Sequence, residues 1–357
     1  MATAAESSSL GRFLLSGGVS VVGTIADLFW NSDEGRLRAG WRVLVFWITA
    51  IVFGLALLRL RDAVPSVLLA EVYGNAAEAA IYLFLIWMLL LVASRLLDRR
   101  PVADYGFHLD ETWWLDLGFG AALGALLMVA MFVLELAMGW IRVTGTFATA
   151  DPGLPFAPAI LAGFVAVLSV VIQEELIWRG YSIKNIAEGL NWKAIGPRRA
   201  TLIAVLVASV VFGLAHADNI DATALSTFNT VLIAVLVLSA GYVLTGQLAI
   251  PIGFHLGWNF VQVFVLGFYG GAARFGASFL AIEEGDPAGR LWTGMPYSNE
   301  GGLLSTGACV AGILLIAAWV RLRRGSVGVH PSLAHPPTRP AISAAGLPAA
   351  RAAARPG

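Results

Sequence analysis

Long apolar stretches, each close to twenty residues and separated by polar or glycine-rich breaks, recur along the whole chain. A helix needs about 20 mostly apolar residues to cross the hydrocarbon core of a bilayer. Eight runs reach that length, at approximately residues 41–60, 78–97, 114–139, 157–178, 200–217, 227–245, 249–269 and 303–321. They predict an all-α fold, a polytopic membrane helix bundle of about eight transmembrane helices.

The breaks suggest an organisation in four parts. Residues 1–155 hold three spans, 156–269 hold the next four, and 270–324 hold a loop and the last span. Between Gly270 and Gly302, glycines and short polar stretches predict an irregular excursion on the extracytoplasmic side. From Gly325 the chain turns to Pro, Ala, Arg and Gly with few large apolar residues, which predicts a disordered cytoplasmic tail over 325–357. No internal repeat of the kind that marks many secondary transporters is present.

Composition agrees with a membrane protein: 58% of residues are hydrophobic and 13% charged, against roughly 25% charged in an average soluble domain. Basic and acidic residues balance at 23 each, so no cationic field draws the chain to nucleic acid. The expected partners are membrane lipid and a peptide or protein substrate. Cys309 is the single cysteine, which excludes an intrachain disulfide and a cysteine-rich metal cluster. Glu6 ahead of Arg12, with Gly17, Gly18 and Asp27 interrupting the first apolar stretch, makes a poor cleavable signal peptide.

Basic residues are uneven along the chain. Arg12, Arg36, Arg38 and Arg42 precede or open the first span, and Arg95, Arg99 and Arg100 close or follow the second. Lys184, Lys193, Arg198 and Arg199 separate the fourth and fifth, and Arg321, Arg323 and Arg324 end or follow the eighth. The opposite loops carry chiefly Arg59, Arg61, Arg142, Arg274 and Arg290. By the positive-inside rule both termini are expected in the cytoplasm.

A charge at the bilayer centre costs at least about 2.5 to 3.5 kcal/mol, so polar groups inside spans are candidates for function. Three places qualify: Gln173-Glu174-Glu175-Leu176-Ile177-Trp178-Arg179-Gly180, Phe212-Gly213-Leu214-Ala215-His216, and His255-Leu256-Gly257-Trp258-Asn259. Glu175 and Arg179 stand four apart, share a helix face and are expected to pair, which leaves Glu174 for chemistry. His255 and Asn259, also four apart, share a face of an otherwise apolar helix. Each place taken singly also has a bland explanation: a charged helix end, an interfacial histidine, an interhelical hydrogen bond.

Taken in order, these motifs resemble those of the CPBP family, which takes in the type II CAAX prenyl endopeptidases and bacterial proteins linked to bacteriocin processing and self-immunity. The resemblance covers about residues 157–265, and Pro101-Val-Ala-Asp-Tyr-Gly-Phe107 is similar to a short segment ahead of the core in bacterial members. It implies an intramembrane endopeptidase, of the CAAX protease-like kind, in a bacterial plasma membrane. By the same resemblance Glu174 activates water, His216 assists it, His255 and Asn259 hold the oxyanion, and Glu175 with Arg179 supports the first motif.

Members of that family are often named metalloproteases, and Glu174, His216 and His255 have donor types that zinc accepts. The sequence lacks an HExxH helix, and if those three bound zinc the base would have to be Glu175, already matched to Arg179. A mechanism without obligatory metal is therefore expected. Depth poses a separate question. A fourth span that stopped at 178 would leave Glu174 too shallow to meet His216, unless the helix continued through Tyr181 to Ala187. His255, about six residues into the seventh span, also looks shallow. The alternatives to a peptidase are a proton-coupled transporter using the same residues as a relay, and a catalytically idle membrane scaffold.

Overall fold

The computed structural model describes residues 27–63 and 71–337. Among the described residues eight apolar helices form the bundle: α1 (Ala39–Ala63), α2 (Glu71–Leu96), α3 (Glu111–Ala137), α4 (Phe156–Leu190), α5 (Gly196–Leu214), α6 (Ala224–Thr245), α7 (Ala249–Val265) and α8 (Leu303–Arg324). Seven are long and apolar enough to cross a membrane, and α7, the seventh in order, is shorter. Their outward faces keep large aliphatic side chains exposed, as Ile48, Ile51, Val52 and Leu55 do on α1. Such a belt suits lipid rather than water. The predicted polytopic helical bundle is the observed fold class.

Among the described residues strand pairing is confined to two ribbons. One is minimal, β1 (Trp30–Asn31) with β2 (Arg36–Leu37). The other joins β3 (Ile141–Thr149) to β4 (Ala277–Glu284), antiparallel from Ile141 opposite Glu284 to Thr149 opposite Ala277. The sequence reading foresaw neither. Their partners stand too far apart in the chain, or are too short, for a local periodicity to announce them. The second ribbon also corrects the expectation of an irregular excursion after Gly270, since that loop contains β4 and several short helical turns.

The ribbon marks one end of the bundle, and the opposite end is held by buried charge. Arg42 pairs with Asp98 at 2.7 Å and with Glu188 at 3.2 Å, Arg36 reaches Glu188 at 3.1 Å, and Arg100 also binds Glu188. These pairs lock the start of α1 and the end of α2 to the last turn of α4. Tyr105 donates to Asp98. Burial, and then the Asp98 charge, push its phenol well above the ordinary tyrosine range.

The fourth helix does not stop at residue 178. It continues unbroken to Leu190, which sets Glu174 about 24 Å from that end at ~1.5 Å per residue and removes the depth conflict. The conflict over His255 is resolved differently, because α7 begins inside the protein. Leu248, Ala249 and Ile250 are wholly buried, and the Leu248 amide donates to Gly106 O at 3.0 Å. The segment Pro101–Phe107 thus caps a helix that starts below the surface, and six residues suffice to carry His255 to mid-bundle.

Four glycines press α7 against α3. A Cβ on Gly253 or Gly257 would stand 2.1 or 2.2 Å from the carbonyl oxygens of Leu117 and Ala121. On the facing helix, one on Gly120 or Gly124 would stand 2.5 or 2.3 Å from those of Ile250 and Phe254. Two small-xxx-small faces therefore meet backbone to backbone, the close packing by which helices associate where lipid supplies no hydrophobic drive.

The disordered tail expected from Gly325 is corrected for its first part. Leu333 is fully buried, His330 N donates to Val243 O at 2.8 Å, and Lys184 Nζ and Asn191 Nδ2 donate to the carbonyls of Ser332 and Ala334 at 3.1 and 2.8 Å. Composition could not show that these short polar residues dock on α4 and α6. Residues 338–357 and Arg12 lie outside the described residues.

Candidate active site

In α4 the residues that follow Glu175 wind into a π-helical stretch, Leu176–Ile183. The wider turn is stapled by Ser182 Oγ donating to Ile177 O at 2.6 Å, while Trp47 Nε1 donates to Ser182 Oγ at 2.8 Å. Two further π-helical stretches, Ala234–Leu238 in α6 and Val261–Val265 in α7, fall in helices that border the same space. Such stretches often occur beside functional sites, because they redirect side chains without breaking the helix.

The space is a cavity of about 300 Å³, and Glu174, His216, His255 and Asn259 all line it. All four predicted residues are thus brought together, from α4, from the turn after α5, and from α7. His216 lies two residues beyond the end of α5 rather than within the helix as the 200–217 span implied.

Adjacent glutamates serve different partners, since neighbouring helical positions point about 100° apart. Glu175 is completely buried, and its Oε1 accepts from Arg179 Nη1 at 3.0 Å and from His255 Nδ1 at 2.8 Å. The predicted ion pair with Arg179 is present, and the bond to His255 was not foreseen. Glu174 keeps 22% of its side chain exposed in the cavity, with Oε2 standing 3.8 Å from His255 Nε2. A carboxylate and a carbonyl only accept, so His255 and His216 each place a proton on Nδ1, the latter toward Phe212 O at 2.7 Å. Both Nε2 atoms are therefore left to deal with whatever enters.

Phe212 joins the first two motifs physically. Arg179 sits over its ring at 4.6 Å and the His216 ring lies 4.5 Å away on the same phenyl group. The Asn259 side chain lines the cavity and makes no hydrogen bond among the described residues.

Sequence reasoning missed Glu300, Tyr297 and Asn219, which also line the cavity. Trp258, quoted within the third motif without a role, donates from Nε1 to Glu300 Oε1 at 2.7 Å. Asn219 Nδ2 donates to Tyr297 Oη at 3.4 Å, and burial followed by the Glu300 charge pushes the Tyr297 phenol up to about 12. The aperiodic loop before α8 carries no signal that would have found Tyr297 or Glu300.

Among the described residues no three His, Cys, Asp or Glu side chains gather in a metal-holding arrangement. No step below is routed through a metal.

Residues 156–261 match the family described as type II CAAX prenyl endopeptidase Rce1-like. Over this segment, less than a third of the chain, the protein is similar to that family. No curated protein and no solved structure matches it significantly. The CAAX protease-like core spans α4 to most of α7 and contains all three motifs. Outside it lie α1–α3, the ribbon, α8 and Glu300. That family, by its description, is one of prenyl endopeptidases.

Proposed function

We propose that the chain is an intramembrane endopeptidase in which Glu174, with His216, activates a water molecule while His255 and Asn259 hold the developing oxyanion. One observation carries the reading: the Glu174 carboxylate faces His255 Nε2 across a mostly apolar cavity that His216 and Asn259 complete. Glu174 takes a proton from water, the hydroxide adds to the scissile carbonyl carbon, and the same carboxyl returns the proton to the departing amide nitrogen. His255 donates to the oxyanion from Nε2 only as the imidazolium, because Nδ1–H is committed to Glu175. Glu175 is a positioning residue here, fixing the ring that Arg179 helps to balance. Correctly aimed donors of this kind are worth about 2.7 to 4 kcal/mol each. Prenylated chains are one substrate class that the family name suggests, and membrane-delivered peptides in general are another.

The test is cleavage of a pool of membrane peptides by the purified full-length protein in detergent, followed by mass spectrometry. Glu174→Gln should lower the rate on the order of 10²- to 10⁴-fold while the protein remains folded. Activity is expected to survive exhaustive chelation. Undiminished cleavage by Glu174→Gln would remove the assignment, and loss on chelation with recovery on adding zinc would replace it with a metal mechanism.

A further inference from the structure

The cavity carries two carboxylates, and the proposed chemistry uses only one. Glu174 lies at mid-bundle with His255, whereas Glu300 enters from the loop before α8, at the end that bears the β3–β4 ribbon. Glu300 belongs to no motif and lies outside the matched family segment.

Its position is set before any ligand arrives. Asn229 Nδ2 donates to the carbonyls of Glu300 and Gly302 at 3.0 and 2.8 Å, and Thr306 Oγ1 fixes the other side of that amide at 2.9 Å. Gln262 Nε2 donates to Asn299 Oδ1 at 2.9 Å, and Ser298 Oγ accepts from the Glu300 amide at 3.2 Å. Three helices, α6, α7 and α8, therefore hold a short loop so that one carboxylate projects into the cavity. Trp258 occupies Oε1, while Oε2 has no hydrogen-bond or ion-pair partner among the described residues. Arg274 lies over the ring of Tyr269, a residue of the cavity wall, at 4.0 Å and forms no ion pair with Glu300.

A carboxylate held in place in a mostly apolar cavity, with one oxygen that no protein group engages, is complemented by a cation on the incoming ligand. We propose that Glu300 is a specificity residue which selects substrates bearing a cationic group, a basic side chain or a free amine, on the ribbon side of the scissile bond. The inference rests on reading the cavity as a peptide site. Trp258 links that selection to the oxyanion residues, for it stands one position before Asn259 on α7.

Binding and cleavage are measured separately. Fluorescent membrane peptides with lysine or norleucine at each position in turn, with free or acetylated N-termini, are titrated onto full-length Glu174→Gln in detergent, and the same set is given to the wild type. Lysine at one position, or a free amine, should tighten binding by about tenfold or more over its neutral counterpart. Glu300→Gln in that background keeps the acceptor for Trp258 and should shrink the preference to less than about twofold. Glu300→Lys should shift preference toward a glutamate peptide. Equal binding of cationic and neutral peptides, or a preference that survives Glu300→Gln, overturns the proposal. Cation-selective binding that depends on Glu300, with no cleavage by the wild type, upholds this site and removes the peptidase reading. Cleavage without any charge preference does the reverse.

Discussion

Glu175 accepts from two cationic or potentially cationic partners at once, and this makes its replacement more informative than a simple ion-pair deletion. The pairing with Arg179 was legible from the four-residue spacing, because both ends of that contact lie on one helix. The contact with His255 joins positions 80 residues apart, and no local pattern encodes it. Glu175→Gln keeps an acceptor for one donor but strips the charge from a site where Arg179 is buried. A loss of up to about 3–5 kcal/mol of stability is expected, read as a lower melting temperature in detergent. Cleavage should fall as well, since His255 loses its orienting carboxylate. A Glu175→Gln protein that melts like the wild type and cleaves at the wild-type rate would show that the Glu175 contacts matter to neither.

At the scale of elements, the seating of α7 decides whether the motifs meet. Gly120, Gly124, Gly253 and Gly257 were in plain view as two G-x-x-x-G patterns, yet a pattern of that kind does not name its partner helix. The structure shows the partners, and it explains why α7 need not span the bundle to present His255 at the right depth. Gly253→Ala would place a methyl 2.1 Å from a backbone oxygen that has nowhere to move, so α7 must shift. A destabilisation of about 1–3 kcal/mol is expected, together with reduced cleavage as His255 and Asn259 leave register. Gly118→Ala on α3, where nothing lies within 4 Å, is the matched control and should behave as wild type. Thermal melts of the two variants side by side check this, and an unaffected Gly253→Ala would show that the helices separate freely.

For the whole molecule, eight helices in alternation place Ser32 and Ser326 at one end and Thr144 in the ribbon at the other. All three residues are exposed, and the natural Cys309 is buried, so single introduced cysteines can be labelled with little background. Ser32→Cys and Ser326→Cys are expected to react from the cytoplasmic face and Thr144→Cys from the opposite face, as the distribution of basic residues predicts. Labelling of positions 32 and 326 from opposite faces would remove the even number of spans. Labelling of both from outside would keep the fold but invert it.

Apolar run length by itself determined that this protein is a helical membrane bundle, because unpaired backbone cannot be left in lipid and each run must satisfy its own hydrogen bonds. Spacing within a run likewise determined which polar side chains share a face: Glu175 with Arg179, and His255 with Asn259. Depth, partnership and closure were decided only by tertiary structure. Continuation of α4 to Leu190, the buried start of α7 beneath Gly106, the ribbon between residues 141–149 and 277–284, and the presence of Glu300 in the cavity all depend on contacts between distant segments. Those contacts are fixed by which surfaces fit when eight helices are assembled together, and a linear pattern carries no record of that fit.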